Sequence, residues 1–328
     1  MFSVLTYLAI AILGEVEQAQ QYYQQALEFC LETDETEKAA IIHNLAGIYA
    51  NKGKVDEAIA LFNQSLEINE RISDLQGKAA TLHCLGIIYT NKGELEQAIA
   101  LYNLSLEINE RIPDLQGKAA TLHCLGMLHA KKGEVDKAIA LYNLSLEINE
   151  RIPDLQTKAV TLRCLGRIYI NKGKVDEAIA LCNESLEINE RIGDVQGKAA
   201  TLHELAGIYA YKGEVEQAFA LYNLSLKIEG NVQGKAATLH CLGMLHAKKG
   251  EVDKAIALYN LSLEIKERIS DLQGKAMTLW CLGYLAEQQG KYTKAISYFQ
   301  PALEILQRLK SPDAEGVRAS LDRVMRNS

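Results

Sequence analysis

The chain has 328 residues, 48% of them hydrophobic and 23% charged, with only 4 prolines, which is too apolar and too proline-poor for a disordered polypeptide. Its formal net charge is −7, from 35 Lys and Arg against 42 Asp and Glu, the opposite of the basic footprint that phosphate binding needs, so no nucleic-acid partner is expected. No run reaches the roughly 18 apolar residues of a membrane span.

Taken in chain order, Met1 to Leu13 is apolar like the middle of a signal peptide but has no Lys or Arg before it. Leu5, Leu8, Ala9 and Ile12 instead fit the first helix of a trimmed or atypical first repeat, with a turn two residues short, at Gly14. From there, turn glycines recur at Gly53, Gly93, Gly133, Gly173, Gly213, Gly250 and Gly290, with a spacing of 40 residues except for 39 at the first step and 37 between Gly213 and Gly250. The reading is eight repeats over 1–310 and a capping helix over 311–328.

One repeat shows the logic. Ala79, Leu82, Leu85, Gly86 and Tyr89 follow helical spacing, Asn91-Lys92-Gly93 breaks it, and Leu95, Ala98, Ile99, Tyr102, Leu106 and Ile108 resume it. Gly93 suits a left-handed residue just past a helix end. Pro113 stops the second helix and Asp114 caps the next first helix; Ser73, Pro153, Gly193 and Ser270 take the Pro113 place, each followed by Asp. Gly86, Gly126, Gly166, Gly243 and Gly283 sit mid-helix, where glycine costs about 1 kcal/mol, so helices must approach closely there. The 37-residue step lacks about one helical turn around Ile228 to Val232, where a local change of superhelix pitch is expected. Past Ser311-Pro312, Asp313 to Met325 reads as an amphipathic helix with Val317, Leu321 and Val324 on its apolar side.

Leu82, Leu85-Gly86, Tyr89, Gly93, Ala98, Tyr102 and Ser105 fall on the signature of the tetratricopeptide repeat (TPR), and the chain resembles that family over nearly its whole length. The second helix is longer than in the usual 34-residue unit, which resembles the extended repeats of kinesin light chains, of GoLoco-motif adaptors and of many bacterial TPR proteins. The resemblance implies an all-α fold, a right-handed TPR α-solenoid whose first helices line a concave groove, and a non-catalytic function in binding protein or peptide segments.

The same resemblance places three series of residues on that groove. One contains His43, His83, His123, Arg163, His203, His240 and Trp280; the next Asn44, Cys84, Cys124, Cys164, Glu204, Cys241 and Cys281; the third Gly47, Ile87, Met127, Arg167, Gly207, Met244 and Tyr284. A His and Cys ladder invites a metal reading, but adjacent residues point about 100° apart on a helix and neighbouring repeats lie about 10 Å apart, against metal–ligand distances of about 2.3 Å. No metal or other cofactor is expected, and no catalytic motif appears. The same spacing forbids disulfides between equivalent cysteines and points to reduced thiols in a cytoplasmic protein. His129 and His246 replace the packing Tyr and belong to the core edge.

Residues that break the repeat carry more information than those that repeat. Arg163 and Arg167, at i and i+4, could grip a carboxylate with His123 and His203 flanking, so a partner with an acidic group is expected. Trp280 and Tyr284, beside Met277, form an amphipathic patch, although packing on the capping helix competes as its explanation. The places used by carboxylate-clamp TPRs carry His, Ile, Cys and Ala, which argues against chaperone tails. The series Asn63, Asn103, Asn143, Asn183, Asn223 and Asn260, which also matches a glycosylation pattern, is expected to lie on packed helix and to bond between helices. Two rivals to an adaptor remain: homo-oligomeric self-assembly through the array ends, and a sensor for a small peptide or metabolite.

Overall fold

The computed structural model describes residues 16–30 and 34–327, and every regular element among them is a helix. In order these are α1 (Val16–Phe29), α2 (Glu35–Asn51), α3 (Val55–Arg71), α4 (Leu75–Lys92), α5 (Leu95–Arg111), α6 (Leu115–Lys131), α7 (Val135–Asn149), α8 (Leu155–Asn171), α9 (Val175–Ile192), α10 (Val195–Lys212), α11 (Val215–Ile228), α12 (Val232–Lys248), α13 (Val252–Arg268), α14 (Leu272–Gln288), α15 (Tyr292–Arg308) and α16 (Ala314–Asn327). The expected opening helix with Leu5, Leu8, Ala9 and Ile12, and its turn at Gly14, lies outside the described residues. Contacts divide the chain into two compact units, one ending at Thr161 and the other starting at Leu162. In each, consecutive helices pack as hairpins, such as α4 with α5 and α14 with α15.

Local chemistry sets the boundaries. Each expected aspartate cap is made: Asp114 Oδ1 accepts from Gly117 N at 2.8 Å, Asp74, Asp194 and Asp271 repeat the bond, and Asp154 accepts from Thr157 N in the same way. The turn glycine closes the first helix in the left-handed region, with Gly93 at φ +80° and its neighbour Glu94 N bonded back to Tyr89 O. At the far end of the second helix two solutions alternate. Ser73, Gly193 and Ser270 adopt positive φ. Pro113 cannot, and its ring pushes Ile112 out of the helical region to φ −111°, ψ 151°, ending α5 in an extended residue instead.

Packing explains the mid-helix glycines. A Cβ on Gly86 would stand 2.7 Å from the Tyr102 ring, and Gly126, Gly243 and Gly283 face Tyr142, Tyr259 and Phe299 in the same way. The hairpin is also pinned by a buried hydroxyl: Ser105 Oγ donates to Ala79 O at 2.9 Å, repeated by Ser65, Ser145, Ser225 and Ser262.

One expectation is overturned. Asn63, Asn103, Asn143, Asn183, Asn223 and Asn260 are exposed on the second helices, and Asn223 Nδ2 donates to Phe219 O of its own helix. Each follows directly on the buried aromatic or Cys182, so it is turned about 100° away from the core. The asparagines that enter the core are Asn69, Asn109, Asn149 and Asn189, seven residues beyond that buried side chain; Asn189 Nδ2 donates to Thr201 Oγ1 at 3.1 Å.

The 37-residue step is a shortened α11, which ends at Ile228, leaving that side chain half-buried where Ile188 is buried; Asn231 then caps α12 in place of Asp. The last helix, α16, buries Val317, Ser320 and Val324, while Leu321 is half-buried, and Arg323 holds Glu287 of α14 through two hydrogen bonds of 2.6 and 2.8 Å.

Candidate functional site

The histidine series forms a seam between successive first helices. In the first compact unit, His43 Nδ1 lies 3.0 Å from Thr81 Oγ1, His83 3.1 Å from Thr121 and His123 2.9 Å from Thr161; in the second, His203 lies 2.9 Å from Thr238 and His240 3.1 Å from Thr278. The hydroxyls of Thr81, Thr161 and Thr278 donate to carbonyls of their own helices, at Gly77, Thr157 and Gly274. Their lone pairs alone are left for the imidazole, so Nδ1 carries the proton and donates. Each ring also packs against the aromatic of its own hairpin, as His83 does on Tyr102 at 5.3 Å between centroids. Burial disfavours the imidazolium and lowers the pKa of His83 and His240 to about 4, so both are neutral near pH 7.

The cysteines are free thiols, and burial raises those of Cys84, to about 11, and of Cys182, to about 12, which keeps them protonated. Among the described residues no group of three His, Cys, Asp or Glu side chains converges as metal ligands. His129, buried, and His246, half-buried, bond Glu134 and Glu251 at 2.7 Å.

The fifth repeat breaks the seam at two linked places. Arg163 stands where the series otherwise has His or, at Trp280, an indole, and Cys182 stands where the other hairpins have an aromatic. Cys182 Sγ then fills the space over Gly166, 2.7 Å from the position of a Cβ. Arg167, half-exposed, meets Glu204 at 3.6 Å, and Glu204 occupies the ladder place of cysteine. The wall thus carries Arg163 and an Arg167–Glu204 ion pair, and Arg163 also lies close enough to His203 to oppose its protonation.

Trp280 and Tyr284 part company. The Trp280 ring lies over Gly316 and its Nε1 donates to Ser320 Oγ at 3.2 Å, so the indole is engaged by α16. Tyr284 is 50% exposed, as is Met244 on the preceding first helix. Between them opens a cleft of about 580 Å³ walled by Met244, Tyr259, Met277, Trp280, Tyr284 and Leu285, with Lys248, Gln288 and Arg323 at its edge. Lys248 and Arg323 are functional candidates that sequence reasoning missed. Lys248 repeats Lys131 and so carries no signal of its own, and Arg323 lies on a helix outside the repeat.

No helix among the described residues is long and apolar enough to cross a membrane. The family model described as tetratricopeptide repeat matches residues 1–71, 77–151, 157–228 and 234–308. Among solved structures, BtubC (BKLC) from P. vanneervenii is 21% identical with a TM-score of 0.55, over 66% of this chain and 92% of that one. The apo form of RapI is 14% identical with a TM-score of 0.66, over 83% of this chain and 99% of that one. The APC/C hetero-tetramer Cut9-Hcn1 is 17% identical with a TM-score of 0.65, over 94% of this chain and 52% of that one, so this chain spans about half its length. These identities carry a likeness of fold. No curated protein matches the sequence.

Proposed function

Because the chain belongs to the tetratricopeptide-repeat family, an all-α solenoid fold that generally mediates protein–protein interaction, we propose that it is a non-catalytic adaptor binding a segment of another cytoplasmic protein along the face lined by its first helices. The observation that carries this reading is exposed apolar surface at one register of that face: Ile87, Met244 and Tyr284 are 41%, 50% and 50% exposed. Large side chains of this kind supply binding energy when a partner covers them. The half-buried histidines set the spacing of the wall, and Arg163 and Arg167 favour a partner with an acidic group. Against end-to-end assembly, α16 turns Glu315, Arg318, Asp322 and Arg326 to solvent, a charged face that disfavours stacking of a second copy there.

A displayed library of random dodecapeptides, selected on the full chain, tests the reading when an enriched peptide is photo-cross-linked and the adduct mapped by mass spectrometry. Adducts are expected on first-helix residues such as Ile87, Arg167 or Tyr284. Adducts confined to the outer second-helix residues Leu104 and Leu144, or no enrichment, would overturn it.

A further inference from the structure

The cleft between α12, α14 and α16 carries more than a general interaction reading. Residues 234–248 repeat residues 117–131 without a change, whereas α14 departs from that shared pattern at Met277, Trp280, Tyr284, Ala286, Glu287 and Gln288. Two departures answer to the capping helix, Trp280 through Ser320 and Gly316, and Glu287 through Arg323. Capping does not account for Met277, Tyr284 and Gln288, which line the cleft and whose side chains make no hydrogen bond among the described residues.

Their arrangement describes the missing partner. Met277, Trp280 and Tyr284, at i, i+3 and i+7, form a ridge on α14 facing Met244 and Ala247 of α12, which leaves a trough between two successive first helices. Two methionines give that trough adaptable walls of the kind that accept the apolar face of a helix. Its edge is cationic: Lys248 is exposed and has no ion pair among the described residues, while Arg323, with Glu287 as its partner, remains 48% exposed.

Building on the adaptor reading, we propose that this cleft docks an acidic amphipathic helix of a partner protein, its bulky apolar side chains entering between Met244 and Tyr284 and a carboxylate one turn away meeting Lys248.

The test is fluorescence anisotropy on the full chain with three synthetic peptides of about sixteen residues: an amphipathic helix with Leu and Phe on one face and Glu on the other, the same peptide with Lys for Glu, and the acidic peptide with a central proline. The acidic helix is expected to bind, and the other two to bind at least about tenfold more weakly. Tyr284→Ala and Lys248→Glu should each weaken it about tenfold at unchanged helicity by circular dichroism, with Asn103→Ala, on the exposed face of a second helix, without effect. The proposal falls if the acidic helix does not bind at about 100 µM, if the proline or Lys peptide binds equally, if neither cleft variant matters, or if light scattering shows a dimer that Tyr284→Ala dissociates. Library peptides that still cross-link elsewhere on the first-helix face would then leave the adaptor reading standing.

Discussion

Arg167 Nη1 lies 3.6 Å from Glu204 Oε1, joining two consecutive first helices through two residues that both depart from the repeat. The pair tempers the cationic character that the Arg163 and Arg167 spacing suggests. Because Arg167 is half-exposed, its attraction to Glu204 is screened. A double-mutant cycle with Arg167→Ala and Glu204→Ala should return a coupling on the order of 0.5 kcal/mol. A value above about 2 kcal/mol would mean that the pair is desolvated and structural.

Two helical glycines should answer a methyl group with opposite signs. A Cβ on Gly86 would enter the Tyr102 ring at 2.7 Å, whereas one on Gly47 meets nothing within 4 Å. Gly86→Ala is expected to destabilise by about 1–3 kcal/mol through overpacking. Gly47→Ala should stabilise by up to about 1 kcal/mol through helix propensity. Urea unfolding of the two variants checks both, and the same sign for both would refute the packing account.

Acid should weaken the seam. His83 and His240 have native pKa values near 4, below the ordinary value of 6.5, so between those limits the unfolded chain binds protons that the folded chain refuses. Their contribution is complete above pH 6.5 and is lost as pH falls toward 4, by up to about 3 kcal/mol each. His83→Asn, which keeps a donor for Thr121, should flatten the decline of stability between pH 6.5 and 4.5. An unchanged slope would show that His83 is not protonated differently in the two states.

Lys266 occupies the place of the buried asparagines, is itself buried, and donates from Nζ to Thr278 Oγ1 at 2.9 Å. Burial lowers its pKa, so holding the ammonium there costs stability. Lys266→Met keeps the stem and removes the charge, and Thr278 still donates to Gly274 O. Thermal unfolding should show a gain on the order of 1 kcal/mol; a loss would mean that the ammonium stabilises the α13–α14 contact.

What could be read from sequence was whatever nearest neighbours along the chain decide. Asp114 caps because its carboxylate reaches an amide three residues on, and Gly93 turns left-handed because it lacks a Cβ; neither depends on another repeat. The exposed Asn63 series was misplaced because a residue's face is fixed by its angle to the core, and one step from Phe62 suffices to leave it. The His and Thr seam was invisible because its partners lie 35 to 38 residues apart and meet only after hairpins stack. The cleft was half legible: Trp280 and Tyr284 stood out as departures, but Lys248 is a faithful copy whose neighbours alone make it distinctive.

The bond from Trp280 to Ser320 deserves comparison with the His to Thr bonds before it. Ser320 Oγ donates to Gly316 O as Thr278 Oγ1 donates to Gly274 O, so the final helix offers the same kind of socket to a different plug. From α4 on, each first helix therefore presents a hydroxyl backward and, where histidine is kept, an imidazole forward, and a duplicated cassette finds its mate without redesign. Growth of such a chain is a matter of counting: a cassette copied upstream of Trp280 extends the series without any new fitting.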